Sequence, residues 1–462
     1  MTEAVRKEEI PYKFIAPLVL GTMMNPLNST MLATSLITLC NSFKISTGKG
    51  AILITSLYVT STIAQPLMGR LADRFSAKKI NMLGFVLVLI AALIGVFAPA
   101  FSWLIVSRII LGLGTSAAYP SAMTLLNQKY AKEGRQVPSR ILGVMGVSGQ
   151  VSMVLGPVLG GLLTQYFGWK GIFFINIPWV IIAMLLTYAI PNFPPVIKNN
   201  DSLFKKLDVI GIILFSGVLL SLLFLLLADS FSLPLLVVLI VTLIALILWE
   251  RKQESPFIDV KLLANKPALS LVYIRTMATS YVLYLMLYGL PQWIEGVKNM
   301  TPADTGFMMF PLSLTAIFVG LAISKYNKPV RQNIMGVFVL TIACCGLLLL
   351  SKATPVYFIV LFAMVMGTAD GINIIANQAL LNAESPLAQK GVSFGLFRTF
   401  SYLGAILSGT QLKTLFRNGV NDQSFHHIGF YALCSCALLT ILLVPLFLRR
   451  KEIEQSVNSN NQ

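Results

Sequence analysis

The feature that most constrains this chain is a series of fourteen apolar segments, each close to the ~20 residues that cross a bilayer as a helix. The first seven segments cover approximately residues 14–40, 50–69, 80–98, 103–126, 140–164, 171–190 and 209–228. The second seven cover approximately 232–249, 268–292, 303–323, 333–350, 355–380, 391–412 and 427–448. We therefore predict an all-α polytopic membrane protein with fourteen transmembrane helices.

Composition agrees with this reading. Of the 462 residues, 56% are hydrophobic and 11% are charged, whereas soluble domains have about 45–50% apolar and about 25% charged residues. The net charge of +17 does not require a nucleic-acid partner, because basic residues collect in the cytoplasmic loops of membrane proteins. The five cysteines show no metal-ligand spacing, and we expect neither a metal nor a cofactor.

The distribution of basic residues predicts the topology. With the N-terminus inside, 25 lysines and arginines fall in the inner loops and tails, 7 fall in the outer loops and 3 lie inside the spans. Such a bias places both termini in the cytoplasm, and an odd number of spans would destroy it. We predict a multi-pass protein of the cell membrane that contacts membrane lipid, binds no nucleic acid and works as a monomer.

An internal repeat is indicated by two loops. GRLADRFSAKK (69–79) follows the second span, and GLAISKYNKPVR (320–331) follows the tenth. Each has a basic residue beside an aromatic one, followed by further basic residues. With the spacing of the spans, this predicts two six-helix halves separated by the seventh and eighth spans, the architecture of secondary transporters.

Four motifs resemble those of the major facilitator superfamily, in its fourteen-helix drug:proton antiporter branch. They are GRLADRFSAKK, GVSGQVSMVLGPVLGG (146–161), GWKGIFFINIP (168–178) and LPQWIEGVKNMTPADTGFMMFP (290–311). The resemblance implies a major facilitator fold with an N-terminal six-helix bundle (1–200), a linker with two inserted helices (201–263) and a C-terminal six-helix bundle (264–462). It also implies alternating access driven by the proton motive force, with protons and a small molecule as partners.

The motif residues acquire expected roles from this resemblance. The loop after span 2 implies a conformational latch, and the glycine-proline motif in span 5 implies a packing seam or gate. Ser76 and Ala77 depart from the family pattern, so the latch is expected to be looser. The latch residues are Gly69, Asp73, Arg74 and Lys78, and the gate residues are Gly149, Gly156, Pro157, Gly160 and Gly161.

Charged residues inside the spans are functional candidates, because a charge at the bilayer centre costs roughly 2.5–3.5 kcal/mol on insertion scales. Arg108 matches an arginine that the family uses in proton coupling, although Leu111 stands where the family usually has glutamine. Arg398 also matches a family position, whereas Arg275 has no clear counterpart.

Asp370 is the one acidic residue well inside a predicted span. Helical spacing places Asn373 and Asn377 on its face, which reads as a polar lining of a cavity. The first span has Asn28 where the family usually has aspartate, so any proton coupling needs another carboxylate. Asp370 is the candidate, either as a proton or substrate site or as a structural counter-ion to Arg398 or Arg275, and both roles remain open.

The substrate is less constrained. Tyr281, Tyr284 and Tyr288 share a face of span 9 and suit either bulky apolar ligands or helix packing. Three buried arginines against one aspartate make an anionic or zwitterionic compound plausible, and Glu295 at the outer rim offers a second acid for a cation.

Three functions are considered. The first is proton-driven export of a small amphipathic compound, drug or metabolite; the second is uptake or symport of an organic anion; the third is a membrane receptor or scaffold without transport. The span-5 motif favours export, and the midplane charges argue against the third. We do not expect an enzyme, since the only histidines, His426 and His427, lie at an outer helix end, and no phosphate-binding G-x-x-x-x-G-K-[ST] loop occurs.

Overall fold

The computed structural model describes residues 12–133, 139–193, 208–228, 232–253, 256–258, 260–323, 328–384 and 390–448, which form helices and short links with no strand among them. The first half contains α1 Tyr12–Ala33, α2 Leu36–Ser42, α3 Thr47–Gly50, α4 Ile52–Phe75, α5 Ala77–Val96, α6 Phe101–Ser116, α7 Ala118–Lys132, α8 Ser139–Phe167, α9 Gly171–Phe174 and α10 Asn176–Tyr188. Next come α11 Val209–Leu227, α12 Leu233–Glu250 and α13 Val260–Asn265. The last part contains α14 Pro267–Lys298, α15 Pro302–Ile323, α16 Pro329–Leu347, α17 Val356–Glu384, α18 Lys390–Leu415, α19 Asp422–Ile441 and α20 Leu443–Leu448.

Every predicted span coincides with one helix or with two helices joined end to end. The broken spans are α1–α2, α6–α7, α9–α10 and α19–α20, each interrupted by one or two residues. Pro17 and Pro26 lie inside α1, where each removes a backbone hydrogen-bond donor. The hydroxyls of Ser29 and Thr30 donate back to the carbonyl of Pro26, at 2.9 Å and 2.8 Å, which satisfies these two hydroxyls within the helix.

The predicted internal repeat is visible in the helix packing. In the first half, α1 packs on α8 and α10, α6 packs on α4 and α5, and α5 packs on α10. In the second half, α14 packs on α18 and α19, α17 packs on α15 and α16, and α16 packs on α19. When the spans of each half are numbered from one to six, both halves show the same pairs. The first span packs on the fifth and sixth, the fourth packs on the second and third, and the third packs on the sixth. The prediction of an all-α membrane fold with two repeated helix bundles is confirmed.

The two bundles meet along two long contacts that the repeat relates to each other. The fifth span of the first half, α8, packs on the second span of the second half, α15; conversely, α4 packs on α18. We call these two contacts the α8–α15 seam and the α4–α18 seam. Together they define the surface between the halves, where secondary transporters place their substrate site.

The inserted helices α11 and α12 pack on each other, and α11 also contacts α4 and α18. Their predicted inner end is fastened by Asp208, which has a left-handed backbone with φ of 47°. Its side chain accepts hydrogen bonds from the backbone N–H of Gly211 at 3.0 Å, the indole Nε1–H of Trp249 at 2.7 Å and the backbone N–H of Phe257 at 3.0 Å. From the sequence we predict a tight turn around Asp229 and Ser230 between these two helices, and it lies outside the described residues.

Ten of the described helices are long and apolar enough to cross a membrane, and Val151–Phe167 and Val209–Leu225 are shorter apolar helices. The count of fourteen and the cytoplasmic position of both termini stay predictions, since residues 1–11 and 449–462 lie outside the described part. The domain boundaries near 200 and 263 also stay predictions. Below, "outer" and "inner" denote the two ends of the bundle according to the predicted topology.

Candidate functional site

The α8–α15 seam is tight at its outer end because glycines let the two backbones touch. A side chain on Gly161 would overlap the carbonyl of Pro302, and one on Gly306 would overlap the carbonyl of Pro157. Further inward, the hydroxyl of Ser313 donates to the carbonyl of Met153 at 3.3 Å. Small residues serve this purpose in membranes, where close backbone approach replaces the hydrophobic effect as the source of helix association.

The α4–α18 seam is closed at the same end. A side chain on Gly409 would meet the hydroxyl of Thr55, and the hydroxyl of Thr47 in α3 donates to the carbonyl of Phe416 at 3.3 Å. Nearer the middle, the amide of Gln65 donates to the hydroxyl of Tyr402 at 3.0 Å. The outer end of the bundle is therefore sealed along both seams.

A layer of tyrosines joins the halves beneath the sealed end. The rings of Tyr58 and Tyr284 have centroids 5.0 Å apart, and those of Tyr58 and Tyr402 lie 5.5 Å apart. The hydroxyl of Tyr288 donates to the carbonyl of Ser29 at 2.8 Å. In this structure Tyr284 and Tyr288 thus pack between the halves, while Tyr281 is partly exposed.

On the inner side of the tyrosine layer, two exposed side chains meet between the halves. Arg398 of α18 lies 5.6 Å from the ring centroid of Tyr119 in α7, a contact between the halves. Both side chains are exposed, so a cleft reaches this depth from the inner end. A sealed outer end and an open inner cleft are the geometry of one of the two states of an alternating-access cycle.

Asp370 lies in a small cavity between the two halves. The cavity is also lined by Met153 of α8 and by Leu283, Leu287, Leu312, Ser313 and Ala316 of the second half. Gly367 and Gly371 flank Asp370, and a side chain on either would overlap a carbonyl of α15. These glycines bring α17 against α15, so that the carboxylate enters the cavity beside the α8–α15 seam.

Asp370 is 9% exposed, and its side-chain carboxylate has no hydrogen bond or ion pair with any described residue. The proposed counter-ions are engaged elsewhere. Arg275, fully buried, donates to Asn333 Oδ1 at 2.7 Å and to the carbonyl of Leu439 at 3.1 Å, while Arg398 stacks on Tyr119. Among the described residues, the ion pair present is Lys129–Glu133 at 2.5 Å. In this state the structure does not join Asp370 to either arginine.

Asn28 belongs to a network of neutral amides in the first half. Its Nδ2 donates to Asn176 Oδ1 at 2.5 Å, and Asn176 Nδ2 donates to Asn28 Oδ1 at 2.8 Å. Arg108 donates to the carbonyl of Asn28 at 3.1 Å and lies over the ring of Phe173, 5.2 Å from its centroid. Asn28 and Arg108 are thus brought together, without a carboxylate between them.

Asn176 and Phe173 are partners that sequence reasoning did not single out as site residues. They stand in the GWKGIFFINIP motif, and the available signal was a polar amide at the start of an otherwise apolar span. A nearby amide, Asn25, donates to Ser61 Oγ at 3.1 Å and Thr115 Oγ1 at 2.8 Å.

Asn373 and Asn377 lie at helix contacts and do not line the cavity of Asp370. Asn373 donates to the carbonyl of Ala369 at 2.8 Å and packs against Gly336 of α16. Asn377 donates to the hydroxyl of Thr279 in α14 at 3.2 Å. Both side-chain carbonyl oxygens are buried without a hydrogen-bond partner, so a polar stripe does exist on α17, but it turns toward neighbouring helices.

The span-5 motif faces two helices at once. Gly156 and Gly160 allow contact with Thr30 and Met31 of α1 in the same half, whereas Gly161 meets α15 of the other half. The carbonyl of Pro157 accepts a hydrogen bond from Thr34 Oγ1 at 3.2 Å. Gly149 has open space around it. The motif therefore combines packing within the first half with the seam between halves.

The predicted latch is described only in part. Gly69 lies beside Pro120, and Lys78 Nζ donates to the carbonyls of Tyr188 at 2.9 Å and Ile190 at 2.5 Å. Lys78 thereby ties the start of α5 to the end of α10 within the first half. The side chains of Asp73 and Arg74 lie outside the described residues, so the latch stays a prediction.

Comparison with known proteins decides the family. The sequence model of the Major Facilitator Superfamily matches residues 18–409. The chain belongs to this superfamily. It is 32% identical over 430 residues to the uncharacterized MFS-type transporter YwoD of Bacillus subtilis, covering 90% of this chain and 92% of that protein.

Two more distant relatives have names that state a function. The chain is 24% identical over 444 residues to the multidrug efflux pump SdrM of Staphylococcus aureus, covering 94% of this chain and 95% of that protein. It is 24% identical over 448 residues to the riboflavin transporter RibZ of Clostridioides difficile, covering 94% and 96%. The solved structure of the nucleoside transporter NupG shares the fold, with a TM-score of 0.62 at 14% identity, covering 93% of this chain and 100% of that one.

These comparisons confirm the predicted family, the transporter class and the multi-pass membrane location. They also confirm that the chain is a transporter and not an enzyme. Substrate, direction and coupling ion are taken up below.

Proposed function

We propose that this chain is a secondary active transporter that exports a small amphipathic compound, drug or metabolite, in exchange for protons. The observation that carries the proposal is the position of Asp370. It is an unpaired carboxylate in a cavity between the two halves, beneath a sealed outer end and beside an inner cleft. A group placed there becomes accessible from one side at a time as the halves rock.

The chemistry of the cavity supports an amphipathic substrate. Leucines and a methionine form most of its lining, and the carboxyl of Asp370 with the hydroxyl of Ser313 supplies its polar atoms. An unpaired carboxylate is costly in such surroundings, so it is stabilised by taking up either a proton or a donor group of the substrate. Competition between these two occupants is the simplest physical basis for exchange.

The relatives support export of a drug or a metabolite. One distant relative is named as a multidrug efflux pump and another as a riboflavin transporter. In both cases the aligned region covers nearly the whole of each protein. We further propose that the chain works as a monomer, because the cavity and both seams are built from one polypeptide.

Transport of an organic anion is the second candidate. It is favoured by Arg398, an exposed guanidinium that lies 5.6 Å from the ring centroid of Tyr119. An anion entering from the inner side would meet this charge before it reached Asp370. Export and anion transport therefore differ in which of the two charged groups the substrate requires.

The test uses purified protein in liposomes with an imposed pH gradient and a panel of cationic, neutral and anionic fluorescent compounds. We expect gradient-driven transport of at least one compound, and we expect Asp370→Asn to abolish the gradient dependence while binding of the compound persists. Asp304→Asn, a change at an exposed acid on the outer side, is the matched control. Transport by Asp370→Asn that still follows the gradient would remove the coupling role, and loss of transport in Arg398→Gln alone would favour the anion candidate.

A further inference from the structure

A second carboxyl group lies between the halves, outward of the tyrosine layer. Glu295 is 8% exposed, and its Oε1 is buried without a hydrogen-bond partner. It makes no ion pair with a described residue. Three residues earlier on the same helix, Gln292 is 1% exposed, and its Oε1 also lacks a partner. Two acceptor oxygens without donors thus occur within one turn of α14.

Helical geometry aims this part of α14 at the other half. Tyr284, Tyr288, Gln292 and Glu295 follow a spacing of four, eight and eleven residues and therefore share one face. Tyr288 on this face donates to the carbonyl of Ser29 across the surface between the halves. A Cβ on the next residue, Gly296, would lie 3.2 Å from Val420 of the same half and 3.4 Å, an ordinary contact distance, from Ile37 of α2 in the other half. Glu295 therefore lies where the two halves close on each other.

The closed outer end removes water from Oε1 of Glu295 and supplies no donor to it in return. An ionised carboxylate buried without a donor or a counter-ion is far more costly than the neutral acid. The neutral acid carries its own donor and loses much less on burial. The closed seam and an ionised Glu295 are thus energetically incompatible, whereas an open seam hydrates the charge.

We propose that Glu295 is a proton-binding site of the outer seam, which closes over this residue once its carboxylate has taken a proton from the outer solution. Opening restores hydration and lets the acid release the same proton to water. This inference rests on alternating access in the proposed function, and it adds a second carboxyl to Asp370. It ties the closing step, rather than substrate binding, to the outer proton concentration.

The other ionisable groups near the outer part of α14 leave Glu295 as the candidate for this step, because they have other partners or make no hydrogen bond to it. On α14 itself, Lys298 donates to the carbonyls of Lys352 at 2.7 Å and of Thr354. On neighbouring elements, Asp422 accepts from Trp293 Nε1 at 2.9 Å, Asp304 accepts from Thr301 at 2.7 Å and His426 contacts the carbonyl of Leu350 at 2.7 Å. Further ionisable groups at this end include Cys40, Lys44, Lys49, Lys170, Lys352, Lys413, Arg417 and His427.

The test measures opening of the seam directly, without a substrate. Ala303, which is 6% exposed and packs against Gly161, is replaced by cysteine in a chain whose five native cysteines are changed to serine or alanine. An impermeant maleimide is applied from outside at pH values between about 5.5 and 8.5. Ala353→Cys, at an exposed position of the loop between α16 and α17, provides the reference rate, so that the ratio of the two rates cancels the pH dependence of the thiol.

We expect the ratio of the Ala303→Cys labelling rate to the Ala353→Cys labelling rate to rise about tenfold from low to high external pH in the parent. In Glu295→Gln, the same ratio should stay low and constant within twofold. Glu133→Gln is the matched control, and His426→Gln and Asp304→Asn test the other acids and bases at this end; all three should retain the tenfold change. Glu295→Asp should retain it too, and Glu295→Met replaces the glutamine variant if the latter fails to insert.

A ratio that does not change with pH in the parent, or that changes equally in Glu295→Gln, overturns the proposal. The labelling assay and the liposome assay test separate claims, so the failure of one can be told apart from the failure of the other. Failure of gradient-driven export in the liposome assay would reject proton-coupled efflux, whereas the labelling ratio reports only on Glu295 and the seam.

Discussion

A single methyl group at Gly161 should open the outer seam. The Cβ of alanine at this position would overlap the carbonyl oxygen of Pro302 and would lie 3.0 Å from its carbonyl carbon and 3.1 Å from Cα of Ala303. All three are backbone atoms of α15 in the other half, so no rotation of a side chain can relieve the overlap. The clash exists only while the halves are closed at this end, and it therefore raises the free energy of that state alone.

The size of the effect follows from known costs of overpacking. Inserting a methyl group into a well-packed interface costs about 1–3 kcal/mol, and every 1.4 kcal/mol changes an equilibrium by about tenfold. We expect Gly161→Ala to shift the equilibrium toward the open outer seam by roughly 5- to 140-fold. Helix propensity does not counter this, because it favours alanine equally in the open and the closed states.

Gly149→Ala is a precise control for the same helix. It makes the same chemical change in α8, but its Cβ meets nothing within 4 Å. The reporter is Thr55→Cys on the other seam, a side chain that is 1% exposed and faces Gly409. Labelling of this cysteine from the outside should accelerate in Gly161→Ala and remain unchanged in Gly149→Ala. Equal labelling rates in the two variants would refute the inference that the α8–α15 seam holds the outer end shut.

Two further changes test the contacts around the seams, beside the predictions already made for Asp370 and Glu295. Tyr288→Phe removes the hydrogen bond to the carbonyl of Ser29, which should cost the closed state about 0.5–1.5 kcal/mol and raise the labelling of Thr55→Cys about 2- to 10-fold; a Tyr281→Phe control should not. Asn176→Ala leaves the side chain of Asn28 without its partner, so the free energy of unfolding should fall by about 1–3 kcal/mol, measured as a lower Tm of the purified protein. An unchanged Tm would show that the amide pair does not stabilise the first half.

The architecture was largely accessible from sequence because a bilayer imposes a fixed length and polarity on each span. The positions of the helices and the repeat followed from that constraint and from the two basic loops. The breaks within spans were not predicted: those between Ala33 and Leu36 and at Ile175 depend on local hydrogen bonding. Hydropathy averages over these features and does not record them.

The candidate site could be predicted from the sequence only in part. The isolation of Asp370 among apolar residues was visible in the sequence, but the direction of its neighbours was not. Asn373 and Asn377 share a face with it by spacing, yet α17 is surrounded on several sides, and the amides turn to α16 and α14. Spacing gives the face of a helix; which partner that face meets depends on tertiary packing. For the same reason, the pairing of Asn28 with Asn176 could not be read from two positions 148 residues apart.

The two halves differ in the chemistry they bring to their common surface, and this difference bears on how the cycle is driven. In the first half, Asn25, Asn28 and Asn176 satisfy one another or nearby hydroxyls, and the guanidinium of Arg108 binds a backbone carbonyl. None of these amides changes its charge with pH, so this network keeps one electrostatic state throughout. In the second half, Asp370 and Glu295 are both buried without donors, one at the middle of the membrane and one under the outer seam. Each can exist in a neutral and a charged form, and the two forms differ in which arrangement of the halves they tolerate. We therefore expect protonation to act on the second half, through Asp370 and Glu295, and we expect the α8–α15 and α4–α18 seams to be the contacts that respond to it.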